Sequence, residues 1–408
     1  MRKKVDIIDI LILPWDFVRE LSWFICAIFL AILARYRSKS VDVGLGPEPM
    51  INNVYHKKAL NKLGYSAETY VSSVYLITRQ FDHILRPKSG FLMYFIFQLH
   101  LFWHAVSRYK ILYIYFNGGP FFATRYIWRL EPYLLQLARV KVVVMAYGGD
   151  VQDHSRNPNL LLKHATAVDY PGHGQKRRRI AGQIDLWTQH GDHILGGCDW
   201  VDYLYHWDSL QIAHFSMDTD AMAARAAAAP PRPLEAGTPL RVMHAPNHRT
   251  GKGTGFFLRA IEELVAEGVA IELVMLERVP NEEILEAILG CDVILDQLIS
   301  GWYAMFAIEA MALGRPVVCN IRPDLHALYV GAGLLESGEL PIIDASPRTV
   351  KDVLRSLAAM DRRQLADLGR RSQEYVRRHH SLEAIGTDFA RINRLLGVLP
   401  SGNGDNLK

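Results

Sequence analysis

The sequence predicts an α/β protein of two domains, each built on a parallel sheet. Its 408 residues exceed one ordinary core and suit two domains of about 150–200 residues each. In both halves, short runs rich in Val, Ile and Tyr alternate with segments of helical length. An Ala- and Pro-rich stretch without apolar periodicity, residues 218–239, separates the halves and predicts an interdomain linker.

The composition excludes several classes of protein. With 50% hydrophobic and 22% charged residues, the chain is a folded globular protein and not a disordered one. A net charge of +4 is too mild for a nucleic-acid binder, which would carry a basic stripe with interleaved aromatics. The four cysteines are scattered without a CxxC pair, so neither a metal site nor a disulfide is expected, and a reducing cytoplasm fits.

The N-terminal segment, residues 1–39, is apolar and flanked by basic residues. Leu21–Ala34 contains Ser22 as its one clearly polar residue, and Arg35, Arg37 and Lys39 follow. A helix of that length spans roughly 21 Å, short of the roughly 30 Å hydrocarbon core. Positive charge at both ends suits a helix lying on an anionic leaflet, and the alternative is a helix packed on the protein's own surface. The expected location is cytoplasmic and peripheral, on the inner face of the plasma membrane.

A second apolar, aromatic stretch covers Phe91–Val106. A buried core helix and a membrane-facing patch both fit this pattern, and the sequence does not choose between them.

In the first half, residues 40–217, predicted strands end in turn signals. Because ligands of parallel sheets sit outside the carboxyl ends of the strands, these turns are candidate site positions. The predicted strands are Val41–Leu45, Glu68–Val74, Lys110–Phe116 and Lys141–Tyr147, and the predicted helices are Asn52–Leu63 and Tyr126–Arg139.

The second half, residues 240–380, repeats the alternation. Residues 381–399 are predicted as a C-terminal helix that returns to the first domain, and residues 400–408 as a loose tail. The predicted strands are Leu240–His244, Ala270–Leu276, Val293–Leu295 and Pro316–Asn320, and the helices are Gly255–Ala266, Asn281–Leu289 and Met305–Leu313.

Two segments of the second half could carry chemistry. The loop His244–Thr254 follows a strand, and its Arg249, Lys252 and backbone N–H groups could hold a diphosphate. The alternative is a solvated loop. In the segment Gly301–Val318, a carboxylate, Glu309, stands among apolar residues, where it is costly without a partner. A ribose diol is one partner that fits.

Together these segments resemble the retaining GT-B glycosyltransferases of family 4, which build bacterial capsules, lipopolysaccharides and exopolysaccharides. The resemblance implies two Rossmann-like doubly wound domains facing an interdomain cleft. It implies a nucleotide-diphosphate sugar as donor substrate and no bound cofactor or metal. It places Lys252 and an upstream basic residue on the donor diphosphate, Glu309 on the ribose, and the amides of Ala310 and Met311 on the phosphates. The donor contacts expected from it are Asn247, His248, Arg249, Lys252, Gly253, Asp296, Gln297, Ala304, Met305 and Glu309.

The chain departs from the family pattern at three positions. Gly301 stands where an acidic residue is usual, Ala304 where Gly is usual, and Asn247 where Arg is usual. Our hypothesis is that Asp296 and Gln297, at the end of the preceding strand, replace the missing contacts to the donor sugar.

Candidates in the first half have a structural alternative in each case. Gly44 and Gly46 could lie beside the donor phosphates or form a tight turn. Asp150 could bind the acceptor hydroxyl and assist its deprotonation, or cap a turn. His173, in a Gly-rich loop, is the preferred catalytic histidine, whereas the other nearby histidines have no zinc-site spacing.

The run Lys176-Arg177-Arg178-Arg179 could be a solvated helix face or could meet lipid phosphates or a polyprenyl diphosphate. The sequence thus predicts a retaining glycosyltransferase acting on a glycan or polyprenyl-linked acceptor. A GT-B sugar-nucleotide epimerase and a non-catalytic GT-B scaffold subunit remain as alternatives.

Overall fold

A computed structural model of the protein describes residues 7–74, 79–86, 91–229 and 238–401. It confirms the predicted α/β class, because the described strands form one seven-stranded and one five-stranded sheet. Neighbouring strands run parallel in both sheets. The basic start of the N-terminal segment and the predicted tail beyond Ser401 lie outside the described residues.

The first sheet has the strand order β3-β2-β1-β4-β5-β6-β7. Successive strands are added on one side of β1 up to β3 and on its other side from β4 onward, so the strand order reverses between β1 and β4 while all strands stay parallel. Its strands are β1 (Val41–Leu45), β2 (Ala67–Val71), β3 (His83–Ile84), β4 (Tyr109–Tyr115), β5 (Lys141–Met145), β6 (His193–Gly197) and β7 (Ser209–Gln211). The helices of this half are α1 (Ile7–Arg35), α2 (Ile51–Lys62), α3 (Phe91–Arg108), α4 (Glu131–Leu137), α5 (Leu160–Asp169), α6 (Arg177–His190) and α7 (Thr219–Ala228).

The second sheet has the order β12-β11-β10-β8-β9 and reverses between β8 and β10. In parallel α/β sheets such a reversal opens a crevice at the carboxyl ends of the two strands. Its strands are β8 (Leu240–His244), β9 (Ile271–Met275), β10 (Val293–Gln297), β11 (Val317–Cys319) and β12 (Ile343–Asp344). Its helices are α8 (Arg249–Lys252), α9 (Thr254–Ala266), α10 (Asn281–Leu289), α11 (Met305–Ala312), α12 (Pro323–Gly331), α13 (Val350–Ala359), α14 (Arg362–His380) and α15 (Leu382–Leu395).

Two segments differ locally from the sequence-based prediction. The single helix predicted over Tyr126–Arg139 is a 3₁₀ turn at Ile127–Arg129 followed by α4, in whose first turn Pro132 lies. Proline lacks an N–H and suits the start of a helix but not its interior, so the helix begins there. The stretch predicted as a linker contains α7, which Asp218 caps by accepting a hydrogen bond from the Ala221 N–H.

The first helix is fixed to its domain by a buried acid. Glu20 is 2% exposed, and its carboxylate accepts hydrogen bonds from the backbone N–H groups of Arg125, Tyr126 and Ile127. Since a buried carboxylate is stable only with such partners, α1 is built into the fold. α3 packs beside it and buries Phe102 and Val106, which favours the core-helix reading of that segment.

The C-terminal helix α15 leaves the second domain and packs on α2. Its Ile385 and Phe389 are buried in the same apolar cluster as Val43 and Leu45 of β1. The polypeptide therefore crosses between the two sheets twice, once near α7 and once at Ser381, where α14 meets α15.

Candidate functional site

A lysine and an aspartate meet at the point where the second sheet reverses. Lys252 lies in the loop after β8, Asp296 lies in β10, and the Lys252 Nζ and Asp296 Oδ1 atoms are 2.5 Å apart. Asp296 is 1% exposed, and the Lys252 side chain is 21% exposed. This ion pair places a partly accessible positive charge at the crevice where this fold class holds ligands.

Arg249 does not join Lys252, contrary to the sequence-based prediction. Its guanidinium makes two hydrogen bonds, of 2.9 and 2.8 Å, to the carboxylate of Glu277, and its side chain is 57% exposed. This hydrogen bonding raises the pKa of Arg249. The two side chains of this single turn have different carboxylate partners, Glu277 for Arg249 and Asp296 for Lys252. Asn247 is exposed on the same loop.

The rest of this loop contacts the first domain. The Asp169 carboxylate accepts hydrogen bonds from the Gly251 N–H at 2.7 Å and from the Thr250 N–H at 3.3 Å. The next residue, Tyr170, hydrogen-bonds through its hydroxyl to the His248 ring. The N–H groups of Thr250 and Gly251, which the sequence predicted to bind a diphosphate, thus donate to a protein carboxylate in this structure.

Gly253 is needed for the turn itself. Its φ of 74° is left-handed, and a Cβ there would lie 3.1 Å from the Leu298 Cβ. The loop after β8 therefore lies directly against the loop after β10.

Glu309 is buried within α11 and is 4% exposed. Its Oε1 accepts a hydrogen bond of 3.1 Å from the Asn281 side-chain amide. Burial raises the pKa of Glu309 to about 7, while the Asn281 hydrogen bond acts in the opposite direction. Burial, and then the charge of Glu309, raise the pKa of Tyr55, on α2 of the first domain, to about 12. Glu309 thus lies at the domain boundary, as a ribose-binding acid would.

The backbone donors of this segment lie earlier than the resemblance implies. α11 begins at Met305, directly after the extended residue Ala304, and both residues are half-buried. Because only the first turn of a helix has unused N–H groups, those of Ala310 and Met311 are consumed inside α11. The predicted contacts at Ala310 and Met311 are therefore wrong, and the available positions are those near Met305.

Gly301 cannot be exchanged for an acidic residue without rearrangement. Its φ is 93°, and a Cβ would lie 2.5 Å from the Cδ of Arg322. Arg322 is itself held by ion pairs to Asp202 of the first domain and to Asp324. The side chain usual at this position in the family thus has no space here.

Gln297 shapes the same loop and is not free to bind a sugar. Its Oε1 accepts hydrogen bonds from the N–H groups of Ile299 and Ser300, at 2.7 and 2.6 Å. Its Nε2 donates to the Trp302 carbonyl at 3.1 Å and to the Asn320 carbonyl at 3.0 Å. The hypothesis that Gln297 replaces the missing sugar contact is therefore wrong, whereas Asp296 keeps a position beside Lys252.

Gly44, which lies in β1, and Gly46, directly after it, have structural roles. A Cβ at Gly44 would lie 2.4 Å from the Tyr109 ring, and one at Gly46 would lie 1.9 Å from the Tyr70 carbonyl oxygen. Both positions require glycine because of these neighbours, so close packing accounts for the two residues.

Asp150 and His173 are both engaged within the first domain. Asp150 is fully buried and accepts hydrogen bonds of 3.0 Å from the N–H groups of Phe116, Tyr147 and Gly148. Burial raises its pKa to about 7. This is the capping alternative and leaves little access for an acceptor. His173 Nε2 is 2.8 Å from the Gln152 carbonyl oxygen, beside the His154 ring.

Sequence reasoning missed a buried acid on which the charges of Arg322 and Lys252 act. Asp199 follows β6 and is 7% exposed. Burial, and then the charge of Asp202, raise its pKa to about 7, while Arg322 and Lys252 lower it. Only the approach of the two domains brings Asp199 to Lys252, so no local sequence signal could have identified it.

A second missed acid is Glu48, at the reversal of the first sheet. Burial raises the pKa of Glu48, and a hydrogen bond from Asn117 offsets only part of this rise. Across the described ranges, no group of three or more His, Cys, Asp or Glu side chains is arranged to hold a metal ion.

Comparison with known proteins gives matches in solved structures only. No family model matches the chain, and no curated protein matches it in sequence. Sucrose-phosphate synthase from Thermosynechococcus elongatus is 14% identical, with a TM-score of 0.53 over 87% of this chain and 98% of that one. Anabaena HepE in complex with UDP-glucose is 10% identical, with a TM-score of 0.53 over 88% of this chain and 100% of that one.

An alpha-glucosyltransferase in complex with UDP and DNA is 12% identical, with a TM-score of 0.54 over 88% of this chain and 100% of that one. Likeness at such low identity shows a shared fold and does not transfer activity. Together with the two parallel sheets, it shows that this chain has the GT-B fold of two facing Rossmann-like domains.

Proposed function

We propose that this protein is a retaining glycosyltransferase that moves a sugar from a nucleotide-diphosphate donor to a glycan or polyprenyl-linked acceptor. The observation that carries the proposal is Lys252 at the reversal of the second sheet of a GT-B fold, with Glu309 on the same domain. The role in bacterial surface polysaccharide synthesis is supported by the sequence resemblance alone.

In the proposed reaction, Lys252 stabilises the negative charge that builds on the departing diphosphate. Glu309 accepts hydrogen bonds from the ribose hydroxyls. The acceptor hydroxyl bonds to the anomeric carbon as the carbon–oxygen bond to the diphosphate breaks, and its proton passes to a phosphate oxygen on the same face. The engagement of Asp150 by three backbone N–H groups supports the diphosphate, rather than that carboxylate, as proton acceptor.

Peripheral membrane contact is part of the proposal and is supported by one face of α1. This face is apolar and exposed from Trp15 to Leu33, whereas the opposite face packs on α3 and α4. Its exposed residues are Trp15, Phe17, Val18, Leu21, Ile25, Phe29, Ile32 and Leu33. Such a face fits the interfacial region of a bilayer, and we place it on the inner face of the plasma membrane.

Basic residues near α1 support an anionic lipid partner. Arg125 lies 3.7 Å from Asp16 of α1, and Arg179 and Arg129 both stack on the Trp128 ring. Arg177 and Arg178 are exposed in the first turn of α6. Positive charge at a helix N-terminus opposes the helix dipole, so an external anion such as a lipid phosphate or polyprenyl diphosphate would stabilise this turn.

A non-catalytic scaffold subunit is the second candidate, and the packing of Gly301 against Arg322 favours it. The removal of the usual acidic side chain from the donor loop would weaken sugar binding in an enzyme but would not matter in a scaffold.

The experiment is an incubation of the purified protein with radiolabelled UDP-, GDP-, ADP- and dTDP-sugars and a detergent extract of bacterial lipids. Transfer of label to the lipid or glycan fraction supports the glycosyltransferase. Free nucleotide sugar with an altered sugar would instead identify an epimerase. Absence of both transfer and nucleotide binding would identify the scaffold.

A further inference from the structure

Helix α5 belongs to the first domain by sequence but packs on the second. Its Leu162 and Ala165, 6% and 1% exposed, share one apolar cluster with Val242 of β8 and Leu295 of β10. The segments on either side of α5 return to the first domain, where His173 contacts Gln152. α5 is therefore an arm that reaches across the domain boundary.

Both ends of α5 are tied to the second domain by hydrogen bonds. At its start, the Asn159 side-chain amide donates to the Ile299 carbonyl at 2.6 Å. At its end, the Asp169 carboxylate accepts from the Gly251 N–H at 2.7 Å. These contacts fix α5 to the loops that follow β8 and β10, the two strands on either side of the reversal.

The carboxylate of Asp169 lies on the loop that carries Lys252. A diphosphate held by Lys252 would bring further negative charge close to this carboxylate, and like charges a few Å apart repel strongly at a partly desolvated site. A cavity of 370 Å³ lies beside the other end of α5, at the carboxyl ends of β10 and β11. Its lining includes Asn159, Leu161, Ile299, Asn320 and Arg322. α5 thus covers the edge of the sheet where a donor would enter.

We propose that α5 is a strap that closes the donor site, with Asp169 as its latch, and that a nucleoside diphosphate binds by displacing Asp169 from Thr250 and Gly251. This inference rests on the proposed function. A ligand that must first open its site binds more weakly by the fraction of molecules that are open. The strap therefore lowers the affinity for donor, and the return of Asp169 to these N–H groups favours the departure of product nucleotide.

The first test compares Asp169→Ala with the wild-type protein by calorimetry, with UDP, GDP, ADP and dTDP as probes. Because the variant frees the two N–H groups and removes one negative charge, we expect the dissociation constant of the bound nucleotide to fall roughly tenfold. Asp367→Ala, which changes an exposed acid on α14, is the matched control and should bind like wild type. Unchanged or weaker binding by Asp169→Ala would overturn the strap.

The second test needs no substitution. Backbone amide exchange over residues 160–169 of the wild-type chain is measured with and without the nucleotide that binds. Release of the latch should speed exchange in this helix. Unchanged or slower exchange would show that α5 stays docked and would overturn the proposal even if Asp169→Ala does not fold.

The two tests separate this inference from the proposed function. Binding by the wild-type protein with no gain in Asp169→Ala removes the strap and leaves the nucleotide site. Failure of both proteins to bind any of the four diphosphates removes the nucleotide site, and the strap with it.

Discussion

At the scale of single residues, the most informative side chain is Glu309, a buried carboxyl whose pKa is raised to about 7. A ribose hydroxyl donates to a carboxylate, so donor binding favours the ionised form. Ionisation is nearly complete at pH 8 and largely lost at pH 6.

We therefore expect nucleoside diphosphate affinity to fall roughly tenfold from pH 8 to pH 6, in proportion to the ionised fraction of Glu309. Glu309→Gln cannot ionise and should bind weakly, with little dependence on pH over this range. Calorimetry at pH 6, 7 and 8 measures the effect, and equal pH dependence in both proteins would contradict the assignment.

Gly301 gives a second prediction at this scale. A Cβ would be strained by the left-handed φ and would also contact Arg322, which its two acidic partners hold in place. Gly301→Ala should lower the free energy of unfolding by about 2–4 kcal/mol.

The matched control is Gly333→Ala. Gly333 has a φ of 70° but has no atom within 4 Å of the added Cβ. The free energy of unfolding of Gly333→Ala should fall by only about 1 kcal/mol, because this variant has the strain of the left-handed backbone but no steric contact. Chemical denaturation of both variants measures the difference, and equal losses would show that Arg322 does not restrict this loop.

At the scale of elements, α1 is an apolar helix that is also part of a folded domain. The helical segment Pro14–Arg35 is long and apolar enough to cross a membrane, yet 28% of its apolar stretch is buried in the protein. Glu20, held by three backbone N–H groups, ties the helix along the domain surface. This attachment suits a helix that lies in the interface plane rather than across the bilayer.

We predict that a double variant, Ile25→Glu with Phe29→Glu, will lose sedimentation with vesicles that contain anionic lipid. Both side chains are exposed, at 53% and 68%, so the fold should be kept. Leu395→Glu, at an equally exposed apolar residue on α15, is the control and should sediment like wild type. Undiminished sedimentation of the double variant would place membrane contact elsewhere.

Many elements could be predicted from the sequence, because strand and helix periodicity are local properties. β1, β8 and α10 lie at the predicted residues, and most other predicted elements differ by one or two residues at the ends, whereas β6, β7, α5 and α6 were not predicted. The 3₁₀ turn before α4 was missed because periodicity alone does not show where Pro132 stops a helix.

The site could be predicted only in part. Lys252 lies in the turn after β8 and Glu309 lies within α11, the segments in which the sequence placed them, and their roles in ligand binding stay predictions. The outward turn of Arg249 depends on a partner, Glu277, that lies far away in sequence. Asp169 and Asp199 reach the site only through domain packing, and no pattern within either half contains that information.

At the scale of the whole molecule, polar contacts connect the two domains across their boundary. The Trp302 indole donates to the Ile212 carbonyl at 3.0 Å, and the Tyr329 hydroxyl donates to the Cys198 carbonyl at 2.7 Å. Arg322 pairs with Asp202 across the same boundary. The second-domain residues belong to the loop after β10 and to α12 with its N-cap, so the segment beside the candidate site also contacts the first domain.

The central claim is that Lys252 holds a nucleoside diphosphate, and calorimetry with UDP, GDP, ADP and dTDP tests it directly. Because Lys252→Met alone would leave Asp296 buried without its partner, the variant is Lys252→Met with Asp296→Asn. Lys351→Ala, at a lysine paired with Glu263 on the far side of the domain, is the control.

We predict that one of the four nucleotides binds the wild-type and control proteins, and that the double variant binds it at least roughly tenfold more weakly, as expected for loss of a charge-assisted contact. The claim is contradicted if none of the four binds the wild-type protein, or if the folded double variant binds with unchanged affinity.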